Sequence, residues 1–172
     1  ELVKMHKKED LSFKNVIIFN LFEYYPLDIT FSQSCLNQIK ANLLDKVDIL
    51  PENIHSINPT LNQSEIAQHC AEYEHLIEEC GGIDYQVLGV GGVGNIGFNE
   101  PGSQTSSQTR LILLDPRSRK EAVHFFGSIE KVPAGAITMG VNTILKARRI
   151  ALLAFGEHKS SIIKTIVEGQ MS

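Results

Sequence analysis

Residues 62–103 read NQSEIAQHCAEYEHLIEECGGIDYQVLGVGGVGNIGFNEPGS. Asn62 and Glu65 have the spacing of a capping box, and Ile66, Cys70, Tyr73 and Ile77 recur at intervals that place them on one helical face, so a helix is predicted over Asn62–Cys80. Gly81 and Gly82 end it, because glycine takes the left-handed conformation of a helix stop at no steric cost. Ile83–Val90 is then a strand-like run, and a glycine-rich loop follows directly. Helix, stop, strand and loop in this order form one unit of a strand–helix alternation.

The same alternation runs through the rest of the chain. Asn15–Asn20 is a short β-branched run bounded by polar residues, as in a strand buried on both faces. Ser34–Val47 reads as a helix with Leu36, Ile39, Leu43 and Val47 on one face. Arg110–Leu114 and Arg149–Ala154 read as strands and Ala136–Thr138 as a strand end, with helices over Ser118–Phe126, Asn142–Ala147 and Lys159–Glu168. This pattern predicts an α/β fold: an open, mostly parallel, Rossmann-like sheet with helices on both faces. In such sheets ligands bind beyond the carboxyl ends of the strands, which directs attention to the loops after Asn20 and Val90.

The chain has 172 residues, the length of one domain, and no internal repeat. Sixteen basic against twenty acidic side chains give a net charge of −4, which excludes a non-specific nucleic-acid binder. No apolar run approaches the roughly 18 residues of a membrane span. Cys35, Cys70 and Cys80 show no C-x-x-C spacing and are expected as reduced thiols of a cytoplasmic protein. His69 and His75, six residues apart, do not share a helical face, so no metal site and no metal cofactor is expected there. The opening residues, ELVKMHKKED, are charged and helical, and the chain reads as an excerpt of a longer domain.

Gly89, Gly91 and Gly94 match the G-x-G-x-x-G pattern of dinucleotide sites, and Asp115 stands where a ribose-binding acid is wanted. The mechanism needs the loop to open a helix whose N-terminus faces the pyrophosphate. Here the loop runs into NIGFNEPGS, where two glycines and Pro101 forbid a regular helix, so no nucleotide cofactor is expected. An extended loop presenting backbone amides and polar tips to a small ligand fits the letters better.

GVGGVGNIGFNEPGS followed by SSQTR resembles the signature of the glucosamine-6-phosphate deaminase/isomerase family. FNLFEYYPL resembles its strand-end motif, and VPAGAITMGVNTILKARRIALLAFGEHK resembles its later helix start, strand and lysine. The similarity runs in order over nearly the whole chain and is closest to divergent, Bacteroidetes-type members, in which such a domain precedes a second one of deacetylase type. The resemblance implies isomerisation of glucosamine 6-phosphate with loss of ammonia, a phosphorylated amino sugar as ligand and no cofactor. It also implies a homo-oligomer or fusion to a further domain, and a single domain over 1–172 that lacks its first strand, its phosphate loop and a C-terminal segment.

Carried over residue by residue, the family's proton-transferring aspartate falls on Phe22, its ring-opening histidine on Asn95 and that histidine's partner aspartate on Val93. Glu100 and Glu23 remain as candidate acids, and Tyr24 stands beside Glu23. Gly91, Gly92, Asn95 and Lys159 are the candidate sugar-phosphate contacts, and His124 takes the place of a phosphate-binding arginine. Asn99, Thr109 and Arg110 are kept as scaffold of the loop. An amide hydrogen-bonds but does not shuttle protons near neutral pH, and a phenyl ring does neither. The resemblance therefore predicts a sugar-phosphate domain in which ordinary deaminase activity is lost, the alternative being a non-catalytic binding or regulatory module attached to a second, catalytic domain.

Overall fold

The computed structural model describes residues 1–92, 94–100 and 102–169, and seven strands and six α-helices lie among these described residues. The strands are β1 (Ile18–Phe19), β2 (Phe22–Tyr25), β3 (Ile54–His55), β4 (Tyr85–Gly89), β5 (Arg110–Leu113), β6 (Gly135–Thr138) and β7 (Arg149–Leu153). The helices are α1 (Leu2–Lys8), α2 (Cys35–Asn42), α3 (Ile66–Glu79), α4 (Pro116–Phe126), α5 (Val141–Leu145) and α6 (Ser160–Glu168).

The α/β class holds, and the pairing is more mixed than a mostly parallel sheet. β1 pairs with β3 and β4 with β7 in parallel, whereas β6 lies between β2 and β5 and is antiparallel to both. The turn at Asn20 explains the reversal. Asn20 donates to the Phe22 carbonyl (3.1 Å) while its Oδ1 accepts the Ile57 amide (2.9 Å) and the Tyr73 hydroxyl (3.2 Å). Its own backbone N–H still reaches the His55 carbonyl of β3 at 3.3 Å. The chain therefore leaves β1 at a polar node, and the Phe22–Tyr25 run is a strand in its own right. β6 is buried along its whole length, as expected for a strand with neighbours on both sides.

α3 is the clearest case of local sequence deciding local structure. The capping box forms, with Glu65 Oε2 accepting the Asn62 amide at 2.9 Å, and one 3₁₀ turn (Gln63–Glu65) leads into the helix. Ile66, Cys70, Tyr73 and Ile77 are buried on one face against Leu88, Ile137 and Met139. Glu74 joins that buried face, although it is charged. α2 is shorter than its apolar spacing suggests: Ser34 caps it, it ends at Asn42, and a 3₁₀ turn at Leu44–Lys46 takes Leu44 into the core. α4 starts at Pro116 rather than Ser118, because Asp115 caps it by accepting the Arg117 amide at 2.7 Å. No helix among the described residues is long and apolar enough to cross a membrane.

Candidate functional site

β4 delivers the glycine loop to the carboxyl edge of the β4·β7 pair, at the place the strand pattern indicates. The loop closes on itself: Gly91 N–H donates to the Asn95 carbonyl (2.9 Å) and Gly94 N–H to the Gly91 carbonyl (3.2 Å). A short antiparallel bridge, Ile96 to Asn99, follows, and no described residue between 90 and 109 is helical. The fingerprint's required helix is thus absent from the described part of this loop.

Gly91 and Gly92 each lie against a polar side chain. A Cβ on Gly91 would overlap the Asn95 side-chain amide, and one on Gly92 would overlap the Glu121 carboxylate. The loop backbone is therefore pressed between its own Asn95 and the face of α4. Asn95 donates from Nδ2 to the Gly97 carbonyl at 2.8 Å, and its Oδ1 is buried with no partner among the described residues.

A scaffold of side chains fixes the second half of the loop. Asn99 donates to the carbonyls of Met139 (2.8 Å) and Ile96 (3.1 Å) and accepts from Arg110 Nη1 at 2.9 Å. Arg110 Nη2 reaches Ser103 Oγ at 3.4 Å. The Phe98 amide donates to Thr138 Oγ1 at 3.3 Å, and the Phe98 ring is buried in edge contact with Phe22 (4.5 Å between centroids) and Tyr24 (5.1 Å).

The two candidate acids are placed apart. Glu100 stands at the head of α4, where its Oε1 accepts the Ser118 hydroxyl at 2.6 Å and the Asp115 amide at 3.2 Å. Glu23 is 1% exposed and caps α2: its carboxylate accepts the amides of Tyr24 (3.1 Å), Cys35 (3.0 Å) and Leu36 (3.1 Å). Strand alternation puts Glu23 on the face of β2 opposite Phe22 and Tyr24, away from the glycine loop. Its surroundings are those of a buried structural carboxylate. Burial and the nearby Cys35, Glu23 and Glu121 hold the Tyr24 hydroxyl well above its usual range, so it stays protonated.

Lys159 lies half-buried in a cavity of about 430 Å³ at the carboxyl ends of β4 and β7, together with Gly89, Val90 and Phe155. A side chain at Gly94 would touch Ile162 of α6, so the glycine loop and the start of α6 close on the same corner. His124 is exposed one turn beyond Glu121, its Nδ1 2.5 Å from the Glu121 carbonyl. Gly91, Gly92, Asn95, Glu100 and the α4 face are therefore gathered together, with Lys159 at the adjoining strand ends, and Glu23 is separated from them. Val93 lies outside the described residues. Glu121 is the residue that sequence reasoning misses. Its signal was the i, i+3 spacing from Ser118, which puts both on one face of α4. No group of three or more potential metal ligands occurs among the described residues, and His69 instead accepts the Asn58 amide at 3.0 Å.

Comparison with known proteins agrees with this geometry. The family model for glucosamine-6-phosphate isomerases/6-phosphogluconolactonase matches residues 1–172. A glucosamine-6-phosphate deaminase-like protein of Bacteroides thetaiotaomicron is 54% identical over all 172 residues, which make up 26% of its length. The glucosamine-6-phosphate deaminase of Thermoanaerobacter sp. is 40% identical over 99% of this chain and 67% of its own. A solved monomeric glucosamine-6-phosphate deaminase superposes with a TM-score of 0.94 at 35% identity, over 99% of this chain and 70% of that one. The 6-phosphogluconolactonase of Thermotoga maritima, at 16% identity and a TM-score of 0.71, shares the fold. The chain belongs to the glucosamine-6-phosphate isomerase/6-phosphogluconolactonase family.

Proposed function

We propose that this chain is a sugar-phosphate-binding domain of its family in which the deaminase/isomerase chemistry is silenced. The observation that carries the reading is the packing of Phe22: its ring lies 4.5 Å from Phe98, on the face of β2 that meets the glycine loop. Moving a proton between C1 and C2 of a hexosamine phosphate needs a base within hydrogen-bond reach of both carbons. At the position where the family resemblance asks for that base, the strand presents an apolar ring. Asn95, where the resemblance asks for the ring-opening histidine, spends its Nδ2 on the Gly97 carbonyl. Glu100 Oε1 is engaged by Ser118 and Asp115 at the start of α4.

What the site retains is suited to binding. Lys159 supplies a cation at the strand ends, and Gly92 is exposed at the tip of the glycine loop. The ligand class is a phosphorylated amino sugar. The Bacteroides relative is much longer than this chain, which supports a setting in a longer polypeptide.

Two measurements on the same preparation test the proposal. Calorimetry with glucosamine 6-phosphate is expected to show binding that weakens at least tenfold in Lys159→Ala, the loss of a charge-assisted contact of roughly 1.4 kcal/mol or more. Ammonia release from the same sugar is expected to stay at the uncatalysed level. Turnover within the common enzymatic range of roughly 1–10³ s⁻¹ overturns the silencing, and absence of any binding heat overturns the ligand class.

A further inference from the structure

Three polar groups without a partner among the described residues gather where α4 crosses the glycine loop. The Glu121 carboxylate lies against Gly92, and it takes part in no ion pair among the described residues. Neighbouring cations are turned elsewhere: Arg119 donates to the carbonyls of Ile129 (3.1 Å) and Val132 (3.0 Å), and His124 Nδ1 faces the Glu121 backbone carbonyl. Asn95 Oδ1, pressed on the adjoining Gly91, is buried with no partner among the described residues. Tyr24 is 9% exposed, and its ring is held by Phe98 (5.1 Å between centroids) and by Phe126 of α4 (5.0 Å). Its hydroxyl makes no hydrogen bond among the described residues and lies within electrostatic reach of Glu121.

We propose that this corner is an ammonium site, in which Glu121 selects a 2-amino sugar phosphate over the sugar phosphate that carries a hydroxyl at the same carbon. The inference rests on the sugar-phosphate reading and names the group on the ligand that α4 recognises. An ammonium has three N–H donors and a positive charge. The corner offers three acceptors from three different elements, the Glu121 carboxylate, Asn95 Oδ1 and the Tyr24 oxygen, and the first of them is charged. A sugar hydroxyl has a single donor and leaves the carboxylate without a counter-charge. A metal ion is a poorer match, since no group of three or more potential metal ligands occurs among the described residues.

Charge supports the same assignment. Lys159 stands at the carboxyl ends of β4 and β7, whereas Glu121 stands on α4 with Glu100 tied to Ser118, one turn before it. A phosphorylated amino sugar carries its phosphate at one end and its ammonium at the other, so a cation and a carboxylate at separate places align it in one direction. Glu121 is exposed, and water weakens its charged contact. The expected discrimination is therefore about tenfold, well short of the roughly 10⁴-fold reached by sealed polar pockets.

Calorimetry with glucosamine 6-phosphate and glucose 6-phosphate, on the longest natural polypeptide that carries this chain, tests the assignment. The wild type is expected to bind the amino sugar at least about tenfold more tightly. Glu121→Gln removes the charge at nearly constant shape and is expected to bring the two dissociation constants within about threefold of each other, through loss of affinity for the amino sugar alone. Tyr24→Phe keeps the ring, removes the oxygen and is expected to narrow the ratio by about threefold. Lys159→Ala is expected to weaken both sugars and leave their ratio unchanged. Equal binding of the two sugars by the wild type, or a Glu121→Gln loss shared equally by both, overturns the ammonium site and leaves the sugar-phosphate reading standing. No binding heat with either sugar overturns both. Glu121→Gln is expected to melt with the wild type, and a fall of several degrees assigns Glu121 a structural role and overturns the proposal.

Discussion

Glu74 offers a direct test of how the loop scaffold is held. It is 9% exposed, and its Oε1 accepts the Thr109 amide at 2.7 Å, the Thr109 hydroxyl at 2.5 Å and the Thr143 hydroxyl at 2.6 Å. One oxygen on α3 thus fixes the start of β5 and the start of α5. Glu74→Ala strands a buried backbone N–H and two hydroxyls. The hydroxyls turn toward other acceptors, but the N–H has no such freedom. With about 1–3 kcal/mol for each unsatisfied buried group, the variant is expected to lose about 3–5 kcal/mol. Glu74→Gln keeps an oxygen in place and gives up only the charge, so about 1–2 kcal/mol is expected. Urea denaturation followed by far-UV circular dichroism reads both. For a slope of about 2 kcal/mol/M, the alanine midpoint falls by about 1.5–2.5 M and the glutamine midpoint by about 0.5–1 M. His75→Ala on the exposed face of the same helix removes only the pair with Glu79 at 3.2 Å and is expected to cost under about 0.5 kcal/mol. An alanine loss below 1 kcal/mol, or a glutamine loss equal to it, refutes the reasoning.

Three further outcomes are expected. Gly91→Ala drives the Asn95 amide out of its seat at a cost of about 1–3 kcal/mol, and Asn95→Gly in the same chain recovers most of it; thermal melts showing no recovery refute the contact. Asn20→Ala leaves the Ile57 amide without its acceptor and costs about 1–3 kcal/mol, whereas Tyr73→Phe, which removes only one donor, costs about 1 kcal/mol; equal urea midpoints for the two count against Asn20 as the node. Burial pushes the Cys70 thiol up to about 11, and burial beside Glu23 pushes Cys35 up as well, so the folded state keeps protons that the unfolded state releases. Stability is therefore expected to be fully present below the ordinary thiol range near pH 8.5 and to fall as pH rises toward 11, with a urea midpoint that stays constant up to pH 10.5 contradicting the assignment.

The parts of this fold that are legible in the sequence are those whose cause is local. The capping box at Asn62 and Glu65, the apolar face of α3 and the glycine stop need no information from elsewhere in the chain. β2 is different. Phe22–Tyr25 contains a glutamate at its centre, and what makes Glu23 acceptable there is the N-terminus of α2, thirteen residues on, whose Leu36 amide it accepts. The antiparallel setting of β6 against β2 and β5 is likewise a matter of partners, not of propensity. The same limit applies to the site. The glycine loop declares itself by composition, but Glu121 becomes part of it only because α4 packs across Gly92. Glu23 and Glu100 look alike as motif letters and differ in the fold, one capping α2 and the other heading α4.

On the proposed reading, loss of chemistry with retention of the loop follows from which side chains also carry the fold. Asn99 and Arg110 bridge the loop to Met139 and Ser103, and Glu100 ties it to α4, so their removal strands buried polar groups as well as altering the site. A proton-transferring carboxylate at position 22 has no such second duty. At that position an aromatic ring adds edge contact with Phe98, worth roughly 0.5–1.5 kcal/mol beyond its buried area. An imidazole at position 95 is equally dispensable to the fold, because the amide there closes the turn through the Gly97 carbonyl. The fold therefore resists change at the residues that shape the pocket and tolerates it at the residues that move protons. On the proposed reading, a loop scaffold kept without an acid at position 22 or an imidazole at position 95 is a stable end point for such a chain.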